Sequence, residues 1–311
     1  MRAIKTFHGF VGQQETVDSL LQHCTGARMK GVTLPHIRFD GTSGVGKTEL
    51  ANAVAKEVGT TFIPVYCTSQ TTPRQLAQQL AKVKKGDIVF LDEGHALPDG
   101  AQEVLYPAID HNQVQRVDAE TNRVVPNEWI EIPSFTLILA TDQPGALKNA
   151  LRQRLPLQYT LGRYTLCEMR EIVRNHAAKL NVLLSDQAIT RLAEASRGLP
   201  RRAKHLLESL YICYIDPTQP VSKTAAHDHL ISLGIDSDNL TKMDRQYLAA
   251  LGAFRDCVSL ETLVLRLGSD AITLRREVEM YLIERGFISV GTRGRFLTEA
   301  GKTYIIERKL L

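Results

Sequence analysis

The sequence contains no apolar run that approaches the roughly 18 consecutive residues of a membrane-spanning helix. Its first residues, MRAIKTFHGFVGQ, lack the apolar core of about 7–15 residues that a secretory signal requires. Five cysteines (Cys24, Cys67, Cys167, Cys213 and Cys257) are scattered without a Cys-x-x-Cys pair, so neither a zinc site nor a disulfide framework is suggested. Together these absences lead to the expectation of a soluble, cytoplasmic protein with no membrane partner. A strong charge imbalance is missing too. Lysine and arginine total 38 against 34 acidic residues, a formal charge of +4, so any basic interface has to be local. No internal repeat or low-complexity tract interrupts the chain. What is there, 43% hydrophobic and 23% charged across 311 residues, is enough for two or three domains with proper cores.

Between about residues 38 and 160, short apolar runs (FIPVY, IVFLDE, FTLILAT) alternate with helical patterns, the signature of a parallel sheet flanked by helices. In TELANAVAKEVG, Leu50, Ala51, Val54, Ala55 and Val58 share one helical face and Gly59 supplies the stop. Thr72-Pro73 opens another helix as cap and first-turn proline, predicted to carry Leu76, Leu80 and Val83 inward as far as Gly86. From about 160 to 236 strand signals vanish. Thr165 and Glu168 form a capping box, and SDQAITRLAEASRG and PRRAKHLLESLYICY read as two further helices. DPTQPVSKTAAHD reads as a loop or short helix. A third region, after Gly234, has three short helices followed by ISVGTRGRFLT, which reads as a hairpin.

The chemistry concentrates at Gly41–Thr48. GTSGVGKT fits the phosphate-cradling pattern G-x-x-x-x-G-K-[ST], in which Gly41 and Gly46 let the backbone curl so that its amides face phosphates; Thr42, Ser43, Gly44 and Val45 complete the cradle. Lys47 is placed to reach the β- and γ-phosphates, and Thr48 offers a hydroxyl to magnesium at the positive end of a helix. ATP and Mg2+ are therefore the expected cofactors. In IVFLDE, four buried residues precede Asp92 and Glu93, which emerge where ligands bind in such sheets. Asp92 suits the magnesium, directly or through water, and Glu93 stands where a base orients the attacking water. Thr141 closes FTLILAT, where it either senses the γ-phosphate or simply ends a strand. Arg152 and Arg154, in LRQRL, are candidates to reach a neighbouring subunit's nucleotide, or are surface charges. Arg201, in RGLPRR, sits beside a helix-starting proline.

The order of GFVGQ, GTSGVGKTELA, IVFLDEGHAL, LYPAID, FTLILAT, LRQRL and RGLPRRAKHLL resembles the RuvB branch-migration ATPases. MDRQYLAAL, SLETLVLRL, VEMYLIERGFI and TRGRFLT are similar to that family's winged-helix domain, including its Thr-x-Arg-Gly-Arg wing. The resemblance implies an α/β AAA+ P-loop ATPase domain over 1–158, a small helical lid domain over 159–236 and a C-terminal winged-helix domain over 237–311. It further implies that Thr141 is the first sensor, Arg154 an arginine finger acting in trans and Arg201 the second sensor. Phe10 and Val11 would line the adenine pocket, and Arg293 and Arg295 would grip duplex phosphates. The assembly it implies is a homo-oligomeric ring, expected as a hexamer, acting on double-stranded or branched DNA.

Three departures from the family pattern stand out. Thr42, Ser43 and Val45 replace the usual GPPGLGKT residues while keeping the glycines, and Asp142 follows Thr141 where the family has a second threonine. The stretch HNQVQRVDAETNRVVPNEWIEI occupies the place of the hairpin that family members insert into RuvA. Here Val114, Val117, Val124, Val125 and Trp129 flank a polar tip, and either pair across strands or meet a RuvA-like or other protein partner through a 111–131 hairpin. The leading functional expectation is an ATP-dependent DNA motor that migrates Holliday junctions in recombination and repair. The alternative is an ATP switch or loader that assembles on a protein and uses DNA only for recruitment.

Overall fold

The computed structural model describes residues 7, 9–118, 124–213, 218–254 and 256–310. They fall into two compact units, one comprising 1–172 with 198–204, the other 173–197 with 205–311.

In the first unit, strands β1 (Ile37–Asp40), β2 (Phe62–Tyr66) and β3 (Ile88–Asp92) precede a two-stranded hairpin, β4 (Gln113–Val117) with β5 (Val124–Glu131), and then β6 (Thr136–Thr141) and β7 (Leu157–Thr160). Five of these form a parallel sheet in the order β2-β3-β6-β1-β7. Composition explains the order. β6 is buried at every position and β3 at all but its last, whereas β2 and β7 alternate between inward and more exposed residues, so they take the edges. An edge also tolerates Pro64, which cannot donate to a ladder. Leu76, Leu80, Leu91, Leu105, Leu139 and Leu151 belong to the core on one face of this sheet. The register pairs Asp40 with Thr141 and Tyr66 with Asp92, which aligns the polar ends of the central strands on one edge.

The helix expected over TELANAVAKEVG, Thr48 to Gly59, is realised as Lys47–Val58, stopped by Gly59 in the left-handed region. Thr72 caps the helix Pro73–Leu80 through a capping box with Gln75. That helix ends well before Gly86, because Val83 and Lys84 turn back through bonds to the Leu80 carbonyl and the Asp87 carboxylate; Val83 is buried all the same. Strand β7 was not anticipated, since LQYT carries only the weak alternation of an edge. In the hairpin Val114 faces Ile130, Gln115 faces Trp129 and Val117 pairs with Val124, with a register shift between Gln115 and Val117. Val114 joins the core, whereas Trp129 and Ile130 are 45% and 42% exposed. Most of the predicted tip, residues 119–123, lies outside the described residues.

In the second unit, Ser185 and Ser222 cap the helices Asp186–Ala195 and Lys223–Ser232. Thr241 and Asp244 form a capping box for Lys242–Gly252, followed by Leu260–Leu267, a helical run through 271–284 with a wide π turn at Leu274–Glu279, and the hairpin of β8 (Ile288–Gly291) and β9 (Gly294–Leu297). Tyr247, Leu263, Leu274, Leu282 and Ile305 pack into its core. The last of these comes from a final helix, Glu299–Glu307, not anticipated from the sequence. Among the described residues no helix is long and apolar enough to cross a membrane.

Candidate active site

The phosphate loop joins the sheet's polar edge to a helix N-terminus. Gly41 donates its backbone N–H to the Thr141 carbonyl at 3.1 Å, tying the loop to β6. Gly46 has φ of 98°, and a Cβ there would meet the Phe10 ring at 3.2 Å and the Tyr164 hydroxyl at 3.3 Å, so both conformation and space demand glycine. The same contacts set Phe10, 8% exposed, against the loop, with Val11 buried beside it in sequence. Tyr164, which sequence reasoning did not single out, donates its hydroxyl to the Val45 carbonyl at 3.0 Å, and its buried phenol is pushed well above the ordinary tyrosine range by burial.

Lys47 is buried, and its ammonium donates to the Gly41 and Thr42 carbonyls at 2.7 and 3.2 Å. Burial draws its pKa below the usual lysine value, an effect opposed by the carboxylates of Glu93, Asp142 and Asp92. The Thr48 hydroxyl lies 3.4 Å from Asp92 Oδ2. Two cis ligands of an octahedral magnesium ion stand about 2.9 Å apart, given bonds of about 2.05 Å, so this hydroxyl–carboxylate pair fits such an ion. Arg201, near the start of the helix Pro200–Cys213, donates its backbone N–H to the Gly44 carbonyl at 3.2 Å and its guanidinium to the Ser43 hydroxyl at 2.7 Å. The chain thus returns to the loop some 150 residues later, at the position the RGLPRR stretch marked.

Glu93 adopts the left-handed conformation, φ 54° and ψ 44°, at the mouth of the short turn Gly94–Ala96. A Cβ on Gly94 would meet Leu139 of β6 at 2.6 Å, so the turn is pressed flat against that strand. His95, also missed at the sequence level, is carried by this turn. Its Nδ1 stands 3.1 Å from the Thr141 hydroxyl, 3.4 Å from Glu93 Oε2 and 3.6 Å from Asp142 Oδ1, and its Nε2 is 2.8 Å from the Gln143 amide nitrogen. Thr141 is fully buried and its hydroxyl also accepts the Gln143 backbone N–H.

Arg154 caps the short helix Asn149–Gln153. Its guanidinium pairs with Asp110 at 2.7 Å, donates to the Ala150 carbonyl at 2.9 Å and stacks 4.6 Å from the centre of the Tyr106 ring. In the second unit the two wing arginines differ. Arg293 is exposed at the β8–β9 turn, whereas Arg295 donates from Nε and Nη2 to both oxygens of the buried Glu279, at 2.9 and 3.2 Å. Tyr247 donates to the same carboxylate at 2.6 Å.

The profile of the Holliday junction DNA helicase RuvB P-loop domain matches residues 2–161, and that of the RuvB C-terminal winged-helix domain matches residues 238–306. The chain belongs to the RuvB family. Among relatives, the Holliday junction branch migration complex subunit RuvB of Granulibacter bethesdensis is 34% identical over 295 residues, covering 94% of this chain and 82% of that one. Its counterpart in Paramagnetospirillum magneticum is 33% identical over 299 residues, covering 95% and 86%. A solved structure titled as the Thermotoga maritima RuvB Holliday junction branch migration motor superposes with a TM-score of 0.80 at 30% identity, covering 97% of both chains. The P-loop ATPase fold with a parallel sheet and a C-terminal winged helix, expected from the sequence, is therefore the fold of this chain. Tyr164 and Arg201, both drawn to the phosphate loop, lie between the two matched ranges, 2–161 and 238–306. The only sequence-level signal for His95 was its place two residues beyond Glu93, after Gly94.

Proposed function

We propose that this chain is the ATP-hydrolysing motor subunit of a branch-migration complex, moving the duplex arms of Holliday junctions. The observation that carries the reading is the gathering of Lys47, Thr48, Asp92, Glu93, Thr141 and Arg201 around one phosphate loop in a RuvB-family chain that also has a winged helix. In this reading Gly41–Thr48 cradle the triphosphate, with Phe10 and Val11 beside the base and Tyr164 bracing the loop through Val45. Thr48 and Asp92 hold magnesium, which supplies charge neutralisation at the phosphates when bound. Glu93 orients the attacking water, Thr141 and Arg201 sense the γ-phosphate, and Arg154 completes a neighbouring subunit's site in a ring, taken as a hexamer. Its rigid seating on Asp110 and Tyr106 suits a residue that must be presented outward in a fixed pose.

The division into an ATPase domain over 1–158, a lid over 159–236 and a winged helix over 237–311 belongs to the same proposal, as does a reducing cytoplasmic setting. Arg293 contacts duplex phosphates, positioning without specifying sequence, while Arg295 braces the wing through Glu279. The exposed Trp129 and Ile130 make the hairpin the surface for a RuvA-like or other protein partner. The deciding experiment measures ATPase rate and strand movement on a four-way junction, with and without a RuvA-type partner. Junction-stimulated hydrolysis with strand movement is the expected result. Hydrolysis that responds to protein alone, with no junction moving at saturating ATP, would overturn it in favour of a loader or switch.

A further inference from the structure

The imidazole of His95 occupies a position that the phosphate-binding chemistry alone does not require. It sits between the residue that orients water and the strand that senses the γ-phosphate, and it is mostly buried, with its side chain 18% exposed. Nδ1 is hydrogen-bonded to the Thr141 hydroxyl at 3.1 Å, and two carboxylate oxygens stand just beyond it, Glu93 Oε2 at 3.4 Å and Asp142 Oδ1 at 3.6 Å. Two carboxylates and a hydroxyl around one ring nitrogen favour the tautomer with the proton there. That leaves a lone pair on Nε2, and the Gln143 side-chain amide, 2.8 Å away, is oriented to donate to it. Both nitrogens are thus used, and every partner but Glu93 comes from the end of β6.

The backbone enforces the arrangement. Glu93 is a non-glycine residue in left-handed geometry, which persists only where the surroundings over-determine it. Here the over-determination is visible: Gly94 lies so close to Leu139 that no side chain fits, and the Ala96 N–H closes the turn on the Glu93 carbonyl at 2.8 Å. The turn cannot move relative to β6 without disturbing a fully buried leucine. Glu93, His95 and the strand end therefore respond together.

We propose that His95 is a positioning residue that tethers the Glu93 carboxylate to Thr141, Asp142 and Gln143, so that the strand's engagement with a γ-phosphate decides where that carboxylate stands. This inference rests on the ATPase reading above. Asp142 puts a second carboxylate oxygen 3.6 Å from the His95 Nδ1, adding to the negative potential its N–H faces.

The test compares the full-length wild type with His95→Ala, His95→Asn and His95→Gln, and with Glu93→Gln alone and combined with His95→Ala. ATP turnover, KM and nucleotide affinity are measured for each. Asparagine reproduces the Nδ1 donor and glutamine the Nε2 side, so the donor's position is resolved. The expected result is a fall of about 10- to 100-fold in kcat for His95→Ala, the scale of a misplaced catalytic group. KM and nucleotide affinity should hold within about twofold. His95→Asn should recover most of the rate and His95→Gln little of it, and His95→Ala should cost nothing further in the Glu93→Gln background. The proposal is overturned by wild-type turnover in His95→Ala, by an equal defect in His95→Asn, by a loss confined to KM or affinity, or by full additivity with Glu93→Gln. An inactive wild type would instead refute the ATPase reading itself.

Discussion

Arg197 and Asp244 form an ion pair in the second unit whose side chains are only 3% and 1% exposed, and they offer a demanding test of how that unit is held together. Arg197 ends the stretch that follows the helix Asp186–Ala195, while Asp244 sits in the first turn of Lys242–Gly252. The guanidinium also donates to the Asn239 carbonyl and stacks 3.8 Å from the centre of the Tyr281 ring. Replacing it with methionine keeps the bulk and strands a carboxylate in the interior, which costs about 3–5 kcal/mol. Asp244 would still accept from the Thr241 N–H and hydroxyl, each at 2.6 Å, which favours the lower figure. A loss of about 3 kcal/mol corresponds to amide exchange faster by on the order of 10² in Lys242–Gly252, at about 1.4 kcal/mol per tenfold. Hydrogen exchange resolved by peptide measures this directly, with segments around Trp129, in the other unit, as an internal control. Removing both charges in Arg197→Met/Asp244→Leu should cost only about 1–2 kcal/mol, mainly the lost cap, far below the sum of the single changes. Single-variant effects under about 1 kcal/mol, or a double variant that is additive within about 0.5 kcal/mol, would refute the reasoning.

Lys47→Ala and Arg154→Ala chains should each lose turnover, Arg154→Ala by about 10³-fold or more. Mixed together they should recover a measurable fraction, because a Lys47→Ala subunit can lend its arginine to an Arg154→Ala site; mixing without recovery would place the arginine's action elsewhere. His36 accepts the Leu137 N–H at 2.9 Å, and burial holds its pKa at about 4 instead of 6.5, against a smaller opposing pull from Asp110. Below pH 6.5 the unfolded chain binds a proton that the folded chain refuses until about pH 4. Stability should therefore fall by about 3 kcal/mol as pH drops through that window and change no further from this group below it. Urea melts of His36→Gln, which keeps an acceptor, should show a correspondingly flatter pH dependence. Arg293→Ala should lower the slope of log binding constant against log salt on duplex DNA by about one, at every sequence tested. Arg295→Ala should instead lower the melting temperature, because it leaves the buried Glu279 carboxylate without its ion-pair partner.

Local patterns carried far in this chain. The phosphate loop, the capped helix at Thr72, the strand ending at Thr141 and the wing hairpin were legible because each is written in a short window: glycine spacing, a cap followed by proline, an unbroken apolar run. The edge strand at Leu157–Thr160 and the last helix were not, since their residues alternate too weakly to distinguish them from loop without a neighbouring element to pack on. Helix ends suffered similarly, as at Leu80, where an Asp87 side chain and not the distant glycine stopped the turn.

By itself the sequence determined the ingredients of the chemistry: the order of Lys47, Asp92, Glu93, Thr141 and Arg201, and the family pattern that joins them to a winged helix. Tertiary structure decided what touches what. Only parallel pairing in register brings Asp40, Thr141 and Asp92 to one edge, and only the flattening of the Gly94 turn against Leu139 brings His95 between Glu93 and Thr141. The two wing arginines, equivalent in the string Arg-Gly-Arg, were separated the same way. One lies in the exposed turn before β9, and the other lies within β9, where a buried glutamate 16 positions upstream captures its guanidinium.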